Sequence, residues 1–178
     1  DLDVIERVSI SQESLPKSLH GLVSRDHVRE TVVLSTCNRT EVYVVAEKFH
    51  GAFADVSDFF CEISGLSVEE LQPHFYSQHD DAAISHLFEV ASGLDSAVLG
   101  ETEILGQVRD AWEKARSEST SRTSLNMLFR HALEVGKRAR TETSISKSTA
   151  SVSHAAVEMA TDILGTISGL KVLVIGAG

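Results

Sequence analysis

The stretch VVLSTCNRTEVYVV, residues 32–45, contains two β-branched apolar runs separated by a short polar segment. Two such runs joined by a turn predict a β-hairpin, in which successive side chains of each strand point to opposite faces. Asn38 and Arg39 fall in the predicted connection, and Cys37 falls at the end of the first strand. A structural cysteine normally lies inside an apolar run, so a thiol at a strand end beside a guanidinium is a candidate for chemistry.

The rest of the sequence predicts a mixed order of helices and short strands. Before the hairpin we expect a strand at residues 4–10 and a helix at residues 12–22. After it we expect a helix at residues 53–64 between Gly51 and Gly65, and a short strand at residues 74–77. The next helix begins at Asp80 or Asp81 and carries His86 away from its apolar stripe. Further helices are predicted near residues 104–115, 125–139 and 152–164, with a Ser/Thr-rich loop at 141–153.

Composition indicates a globular chain that can bury a core. It has 178 residues, of which 42% are hydrophobic and 24% charged, and its length suits one domain plus part of another. No apolar run approaches the roughly 20 residues of a membrane span, so no membrane partner is predicted. Cys37 and Cys61 are too few for a disulfide framework or a metal knuckle, which favours a reducing compartment such as the cytosol. Cys61, inside FFCEI, is interpreted as core packing.

The positive charge is concentrated in one part of the chain. The net charge is −10, yet residues 121–150 contain six Lys and Arg against two Asp and Glu. Several of these cations, Arg138 and Arg140 among them, lie on the predicted helix at residues 125–139 or just after it. A phosphate-binding patch and an ordinary solvated helix face account for this pattern equally well.

The C-terminal segment KVLVIGAG, residues 171–178, is an apolar run that leads into Gly-x-Gly. A parallel strand enters the phosphate-binding turn of a dinucleotide-binding domain in this way, because glycine lets the backbone approach a pyrophosphate. Only half of that fingerprint is present, and a simple strand and turn would also fit. The chain begins at Asp1 without Met and ends within this motif, so we expect it to belong to a longer protein.

Three residues form a candidate chemical site. Cys37 can act as a thiolate nucleophile, which a nearby cation favours. Arg39 can bind a carboxylate through two parallel hydrogen bonds, and His86 can act as a general acid or base. A structural cysteine and a solvated histidine are the simpler alternatives, so spacing alone only indicates acyl transfer.

Longer motifs resemble one known family. The segments STCNRTEVY (35–43), HLFEVASGLDSAVLGETEILGQVRDA (86–111) and GKRARTETSI (136–145), followed by KVLVIGAG, are similar to glutamyl-tRNA reductase. The resemblance implies an α/β (α+β) fold in which residues 1–156 form a ferredoxin-like catalytic domain with additional helices. Residues 157–178 would be a linker helix and the first strand of a Rossmann-type NADPH-binding domain.

The resemblance also implies residue roles. Cys37 would attack the ester of glutamyl-tRNA to give a thioester, which hydride from NADPH would reduce to glutamate-1-semialdehyde, the first step of tetrapyrrole biosynthesis. His86 would give acid/base help. Thr36, Arg39 and Ser96 would hold the glutamyl group, with Arg39 on its side-chain carboxylate. The implied pocket also includes Glu41, Glu101, Glu103 and Gln107, and the implied cofactor turn is Gly176, Ala177 and Gly178.

Two departures from the family pattern affect the pocket. The family usually opens with a strand carrying a Gly-x-Ser/Asn-His-x-x-Ala-Pro-like segment, which does not stand before Asp1, so we expect the resemblance to transfer least well to one sheet edge and part of the pocket wall. Glu103 stands where most members have Gln. Because an ionised Glu103 would repel a substrate carboxylate, we expect it to be paired, protonated or turned away.

The resemblance implies glutamyl-tRNA as partner, a homodimer for the full-length protein, and product transfer to glutamate-1-semialdehyde aminotransferase. The location would be cytoplasmic, or the plastid stroma in a plant. Two alternatives from other classes remain: a non-catalytic tRNA- or protein-binding module on the same fold, and an unrelated Cys-His hydrolase.

Overall fold

A computed structural model of the chain describes residues 2–145 and 152–173. These residues form eight α-helices, one short 3₁₀ helix and two strands. In chain order they are α1 (Leu2–Val8), α2 (Leu15–Val23), β1 (Glu30–Ser35), β2 (Thr40–Val45), α3 (Phe49–Ser64), α4 (Val68–Leu71), the 3₁₀ helix Gln72–His74, α5 (Asp81–Ser92), α6 (Glu103–Ser117), α7 (Thr123–Glu142) and α8 (Val152–Leu164).

The predicted hairpin is confirmed. β1 and β2 pair antiparallel, from Glu30 opposite Val45 to Ser35 opposite Thr40. The Thr36 N–H donates to the carbonyl of Arg39 across 2.8 Å and closes the turn. Cys37 lies in that turn and is exposed, so it is not a core residue.

The centre of the fold is β1, which is buried on both faces. Val32, Val33 and Leu34 are each at most 1% exposed, because α2, α6 and α7 all pack against this strand. α5 in turn packs on α6 and α7, and Phe129 of α7 is fully buried. Burial on both faces explains why three successive residues in the middle of β1 are apolar instead of alternating with polar ones.

Three predicted elements are wrong in type or extent. Residues 4–10 were expected as a strand, but Leu2–Val8 is helical, because the i, i+4 pair Val4 and Val8 packs one helix face on the core. Residues 74–77 do not form a strand: the 3₁₀ helix Gln72–His74 contains Pro73, which lacks an N–H, and irregular chain follows.

The helix expected at residues 53–64 begins earlier, at Phe49, and continues through Gly51. A Cβ at Gly51 would lie 2.4 Å from the ring of His27. Glycine there allows a close tertiary approach and does not mark a boundary. The αL residue Gly65 does end the helix, as predicted.

The fold class is α/β in the α+β sense, as expected, with a two-stranded sheet in the part of the chain that the structure describes. Residues 171–173 have no regular structure, and the predicted cofactor turn Gly176, Ala177 and Gly178 lies outside the described residues. The last helix, α8, exposes apolar side chains such as Met159 and Ile163. Within the described ranges, no helix combines the length and apolarity needed to cross a bilayer.

The N-terminus of α7 is capped from a distance by Glu30 of β1. Its carboxylate accepts hydrogen bonds from the backbone N–H groups of Arg122 (2.9 Å), Ser124 (3.1 Å) and Leu125 (2.9 Å). The first N–H groups of a helix have no partner within the helix, and a carboxylate there also meets the positive end of the helix dipole. Glu30 is 7% exposed, so it joins the hairpin to α7 inside the core.

We therefore expect Glu30→Ala to lower the free energy of unfolding by about 1–3 kcal/mol, because buried N–H groups would lose their acceptor. Glu30→Gln should cost less, since its amide oxygen still accepts. Urea denaturation measures both. The control Glu113→Ala, at an exposed position of α6, should change stability by about 0.5 kcal/mol or less. Equal effects at positions 30 and 113 would contradict the cap.

Candidate active site

Five segments bring polar side chains to one place beside the hairpin turn. The turn supplies Arg39, and β2 supplies Glu41 and Tyr43, which share a strand face because they are two residues apart. α5 supplies His86, the segment after the 3₁₀ helix supplies Tyr76, and the α5–α6 loop supplies Asp95. We call these six residues the Glu41 network.

Glu41 is the centre of the network. Its Oε1 accepts hydrogen bonds from Arg39 Nη1 (3.0 Å), His86 Nε2 (3.1 Å) and Tyr76 Oη (3.1 Å). Its Oε2 accepts a hydrogen bond from Tyr43 Oη. The side chain is only 9% exposed, so this carboxylate exchanges most of its hydration for four protein donors.

Arg39 connects Glu41 to the α5–α6 loop. Its Nη1 also binds Asp95 Oδ2 at 2.9 Å, and its Nη2 donates to the Asp95 carbonyl. The Arg39 side chain is 15% exposed, and that of Asp95 is 51% exposed. The charge of Arg39 is thus balanced by two carboxylates, one buried and one half in solvent.

The network fixes the ionisation of its members. Burial would raise the pKa of Glu41, but hydrogen bonds from His86 and Tyr43 and the charges of His86 and Arg39 lower it to about 2. The hydrogen bond to Glu41 raises the pKa of His86 despite partial burial. Burial alone would lower the pKa of Arg39, but the carboxylates of Glu41 and Asp95 outweigh that effect and raise it. At neutral pH Glu41 is therefore an anion beside one fixed cation and one histidine whose protonated form is stabilised.

The hydrogen bond to Glu41 distinguishes the two ring nitrogens of His86. An ionised carboxylate only accepts hydrogen bonds, so Nε2 of His86 carries the proton that faces Glu41. Nδ1 is then the nitrogen that gains or loses a proton. His86 is not the solvated helix residue that its place off the apolar stripe allowed, because its side chain is 14% exposed and ion-paired.

The two tyrosines are hydrogen-bond donors. Burial and then the charge of Glu41 raise the pKa of Tyr43 and of Tyr76, so both stay protonated at neutral pH. Tyr76 Oη also lies 3.3 Å from His86 Nε2, and its ring meets the imidazole edge-on at 5.6 Å. Tyr43 packs edge-on against Phe129, which links the network to the core.

Glu41, His86 and Asp95 also form a set of donor atoms within 4.8 Å of one another, a spacing that could hold a metal ion. The guanidinium of Arg39 binds both carboxylates of this set. A divalent cation would have to displace that fixed positive charge or lie against it, so the arrangement favours an ion-pair network over a metal centre.

The other predicted site residues lie outside the Glu41 network, some of them directly beside its members in sequence. Thr36 and Cys37 lie in the hairpin turn next to Arg39. Ser96 follows Asp95, and its Oγ is buried without a hydrogen-bond partner in the described structure. Among the described residues, no hydrogen bond joins the side chains of the remaining three to the network. These are Glu101 in the loop before α6, Glu103 in the first turn of α6, where it is exposed, and half-buried Gln107.

Sequence reasoning missed Tyr43, Tyr76 and Asp95. Tyr43 and Asp95 lie inside the motifs quoted above, so a signal was present: Tyr43 is two residues from Glu41 on one strand, and Asp95 precedes Ser96. Tyr76 had no signal, because its segment is irregular and only the tertiary fold brings it to α5.

A groove of about 530 Å³ lies beside the network. Residues along the length of β2 line it, together with an apolar wall from α3 that includes Phe49, Phe53 and Phe60. In the described structure β2 pairs with β1 on one edge only. His86 and Glu41 border the groove, whereas Cys37 does not.

Fold and site together define the class: a small α+β domain that presents one exposed thiol next to a buried, ionised Arg–Glu–His cluster. A family profile described as "Glutamyl-tRNAGlu reductase, N-terminal domain" matches residues 1–143. The chain belongs to this family. Because membership is established, an unrelated Cys-His hydrolase is no longer a valid alternative.

Individual relatives agree with the profile. Glutamyl-tRNA reductase of Frankia alni is 47% identical over 165 residues, which is 93% of this chain and 35% of the relative. That of Bacillus subtilis is 43% identical over 177 residues, 99% of this chain and 39% of the relative. The solved structure of glutamyl-tRNA reductase from Methanopyrus kandleri is 31% identical with a TM-score of 0.67, covering 91% of this chain and 37% of that one. The chain thus spans less than two-fifths of these relatives.

The network predicts a Glu41-dependent titration of His86. In an NMR titration His86 should titrate above its ordinary pKa of 6.5, and Glu41→Gln should move its midpoint down toward that value. The control Glu89→Gln, at an exposed position of α5, should leave the midpoint unchanged. A His86 midpoint that is the same in wild type and Glu41→Gln would contradict the pairing.

The same pair gives a pH dependence of stability. A raised histidine pKa contributes stability that is full below pH 6.5 and is lost as pH rises through the folded pKa. The lowered Glu41 pKa contributes stability that is full above pH 4.5 and is lost as pH falls toward 2. The difference in unfolding free energy between wild type and Glu41→Gln should therefore be largest between pH 4.5 and pH 6.5.

Proposed function

We propose that the chain is the part of an NADPH-dependent glutamyl-tRNA reductase whose cysteine accepts the glutamyl group from tRNA; the whole enzyme makes glutamate-1-semialdehyde for tetrapyrrole biosynthesis. The observation that carries the proposal is the position of Cys37: exposed in the hairpin turn, two residues from the guanidinium that anchors the Glu41 network. The named relatives are glutamyl-tRNA reductases, which supports the substrate.

The acylation step uses groups that the chain supplies. The Cys37 sulfur attacks the ester carbonyl carbon of glutamyl-tRNA, the bond to the ribose oxygen breaks, and the thiol proton ends on the released ribose hydroxyl. His86 transfers a proton through Nδ1, because Nε2 is committed to Glu41. Glu41 stays ionised throughout and stabilises the protonated imidazole.

Arg39 and the residues around the turn would hold the glutamyl group. The substrate side-chain carboxylate would bind the guanidinium of Arg39 beside the half-exposed Asp95, which stays on Arg39 through its backbone carbonyl. Glu41 would remain, since it is buried under four donors. Thr36 in the turn and the unpartnered hydroxyl of Ser96 would bind the rest of the glutamyl group, with Glu101, Glu103 and Gln107 as the outer part of the pocket.

The reductive step belongs to the rest of the full-length enzyme, where NADPH supplies hydride. Neither β1 nor β2 leads through a glycine-rich turn into a helix, so the described residues do not fit a dinucleotide pyrophosphate. The cofactor role remains assigned to Gly176, Ala177 and Gly178. In this division, residues 1–156 are the catalytic domain and residues 157–178 are the linker helix and the first strand of the Rossmann-type domain.

The ferredoxin-like sheet would be completed in the full-length protein by a further strand. Support comes from the edge of β2 that has no strand partner among the described residues and from the groove with apolar lining that runs along it. Homodimer formation, delivery of product to glutamate-1-semialdehyde aminotransferase and a cytoplasmic or plastid-stromal location rest on the family alone.

The 178-residue chain should form a glutamyl thioester and hydrolyse it slowly, because no hydride intercepts it and water can reach an exposed thiol. After mixing with charged tRNA, intact mass should show one glutamyl adduct, and free glutamate should accumulate. Cys37→Ser should remove the adduct and most of the hydrolysis, since a hydroxyl is a much poorer nucleophile without a strong base. Cys61→Ser, on α3, is the matched control and should behave like wild type.

Three outcomes would contradict parts of this proposal. Absence of any adduct on wild type would favour the non-catalytic tRNA- or protein-binding module. Hydrolysis that survives in Cys37→Ser would exclude Cys37 as nucleophile. Semialdehyde formed by this chain with NADPH would contradict the division into domains.

The candidate tRNA surface at residues 121–150 contains fewer cations than the sequence indicated. Arg138 pairs with Glu142 at 2.9 Å, Arg140 donates to three backbone carbonyls, and Lys147 lies outside the described residues. Arg130 and Lys137 are exposed on α7, seven residues apart and thus on one face. We propose that these two contact tRNA phosphates.

Reversal of both charges in the full-length enzyme, Arg130→Glu with Lys137→Glu, should weaken glutamyl-tRNA binding and reduce the salt slope by about 1 per residue. The control pair Arg7→Glu and Lys17→Glu makes the same change in net charge at exposed positions of α1 and α2. Filter binding at several salt concentrations measures both. Equal losses for the two pairs would mean that only total charge matters.

A further inference from the structure

Arg140, near the end of α7, holds both ends of the α5–α6 loop. Its Nη1 donates to the carbonyls of Ala91 (2.7 Å) and Gly136 (2.9 Å), and its Nη2 donates to the carbonyl of Glu101 (2.9 Å). Ala91 lies in the last turn of α5, and Glu101 lies just before α6. One guanidinium thus fixes the two points between which the loop runs.

The backbone around Arg140 is packed too closely for side chains. A Cβ at Gly136 would lie 2.6 Å from the Ala91 oxygen, and a Cβ at Gly93 would lie 3.1 Å from Gly100 and 3.3 Å from Arg140 Nη2. The Gly100 N–H donates to the Gly93 carbonyl across 2.8 Å and closes the base of the loop. The loop is therefore a closed turn that rests on α7.

The tip of this loop reaches the Glu41 network. Asp95 binds Arg39 through its carboxylate and its carbonyl, and Ser96 follows it. A shift of the loop base would move Asp95, and through Asp95 it would move Arg39, which is one of the hydrogen-bond donors to Glu41. The contacts make a continuous path from α7 to the site: Arg140, loop, Asp95, Arg39.

We propose that Arg140 is a positioning residue for the acyl-transfer site, which acts by fixing the α5–α6 loop that presents Asp95 and Ser96 to Arg39. The inference rests on the proposed function for its kinetic consequence, but its structural part does not. It replaces the interpretation of Arg140 as a phosphate contact, because its donors point into the fold. Lysine could not take over the role, since one ammonium does not reproduce a planar fork that reaches carbonyls on two sides.

The structural part can be tested without substrate. In hydrogen exchange on the 178-residue chain, Arg140→Met should speed exchange at the Gly93 and Gly100 amides at least about tenfold, while β1 and the centre of α6 keep wild-type protection. Arg116→Met is the matched control, because this arginine lies on the exposed side of α6 over Trp112. Unchanged loop protection in Arg140→Met would overturn the proposal.

The kinetic part uses the full-length enzyme in single turnovers with glutamyl-tRNA. Arg140→Met and Arg140→Lys should slow acylation of Cys37 by about tenfold to a hundredfold, because small misplacements of a reacting site are costly. The Kd for tRNA and its salt slope should stay within about twofold of wild type. A weaker Kd with a reduced salt slope, at an unchanged acylation rate, would instead make Arg140 a phosphate contact.

A double-mutant cycle separates positioning from general destabilisation. If Arg140 acts through Asp95, then Arg140→Met combined with Asp95→Asn should be no more than about twofold slower than the slower single variant. Additive losses would overturn the proposed path. Should Arg140→Met fail to fold, Arg140→Lys, which keeps the charge, provides the same cycle.

The outcomes for the two proposals are distinct. If wild-type enzyme does not acylate Cys37, the proposed function fails, while the hydrogen-exchange result still decides whether Arg140 fixes the loop. If wild type acylates Cys37 and both Arg140 variants do so at the wild-type rate, only the inference about Arg140 fails.

Discussion

The ionised carboxylate of Glu41 is the constraint on which the site depends. A buried anion is unfavourable unless charged and hydrogen-bonding partners replace its lost hydration. Here Arg39, His86, Tyr43 and Tyr76 do so, and they come from the hairpin turn, α5, β2 and the segment before α5. The hydrogen bonds that this one carboxylate requires thereby fix four segments relative to one another. The turn that contains Cys37 is one of these segments, and it is fixed through Arg39.

The helix α7 supports this arrangement from both of its ends. At its N-terminus, Glu30 of β1 accepts three backbone hydrogen bonds; near its C-terminus, Arg140 donates to the carbonyls of Ala91 and Glu101 at the two ends of the α5–α6 loop. Its middle packs Phe129 against Tyr43. The strand that precedes the thiol and the loop that carries Asp95 therefore both pack on α7, so the geometry of the Glu41 network and the stability of the fold are coupled through a single helix.

Local patterns predicted much of the fold and part of the site. The hairpin was evident from two β-branched runs and a polar turn, and the helices α5, α6 and α7 were evident from their apolar stripes. Short elements were less certain. Residues 4–8 carry β-branched residues at a spacing that also fits one helix face, and packing on the core resolves this in favour of the helix. The sequence indicated a helix boundary at Gly51, but this residue lies within α3, where a Cβ would clash with the ring of His27.

The amino-acid order alone establishes a thiol in a turn beside a guanidinium, a histidine off the apolar stripe of its helix, and the motifs that mark the family. These features are local, since each depends on residues close together in the chain. The partners of Arg39, the state of His86 and the role of Arg140 depend on groups 39 to 56 residues away in sequence. Hydrogen bonding and burial act between neighbours in space. Only the tertiary structure therefore shows that Arg140, which the sequence assigned to a basic patch or a solvated helix face, donates to backbone carbonyls at the ends of the α5–α6 loop.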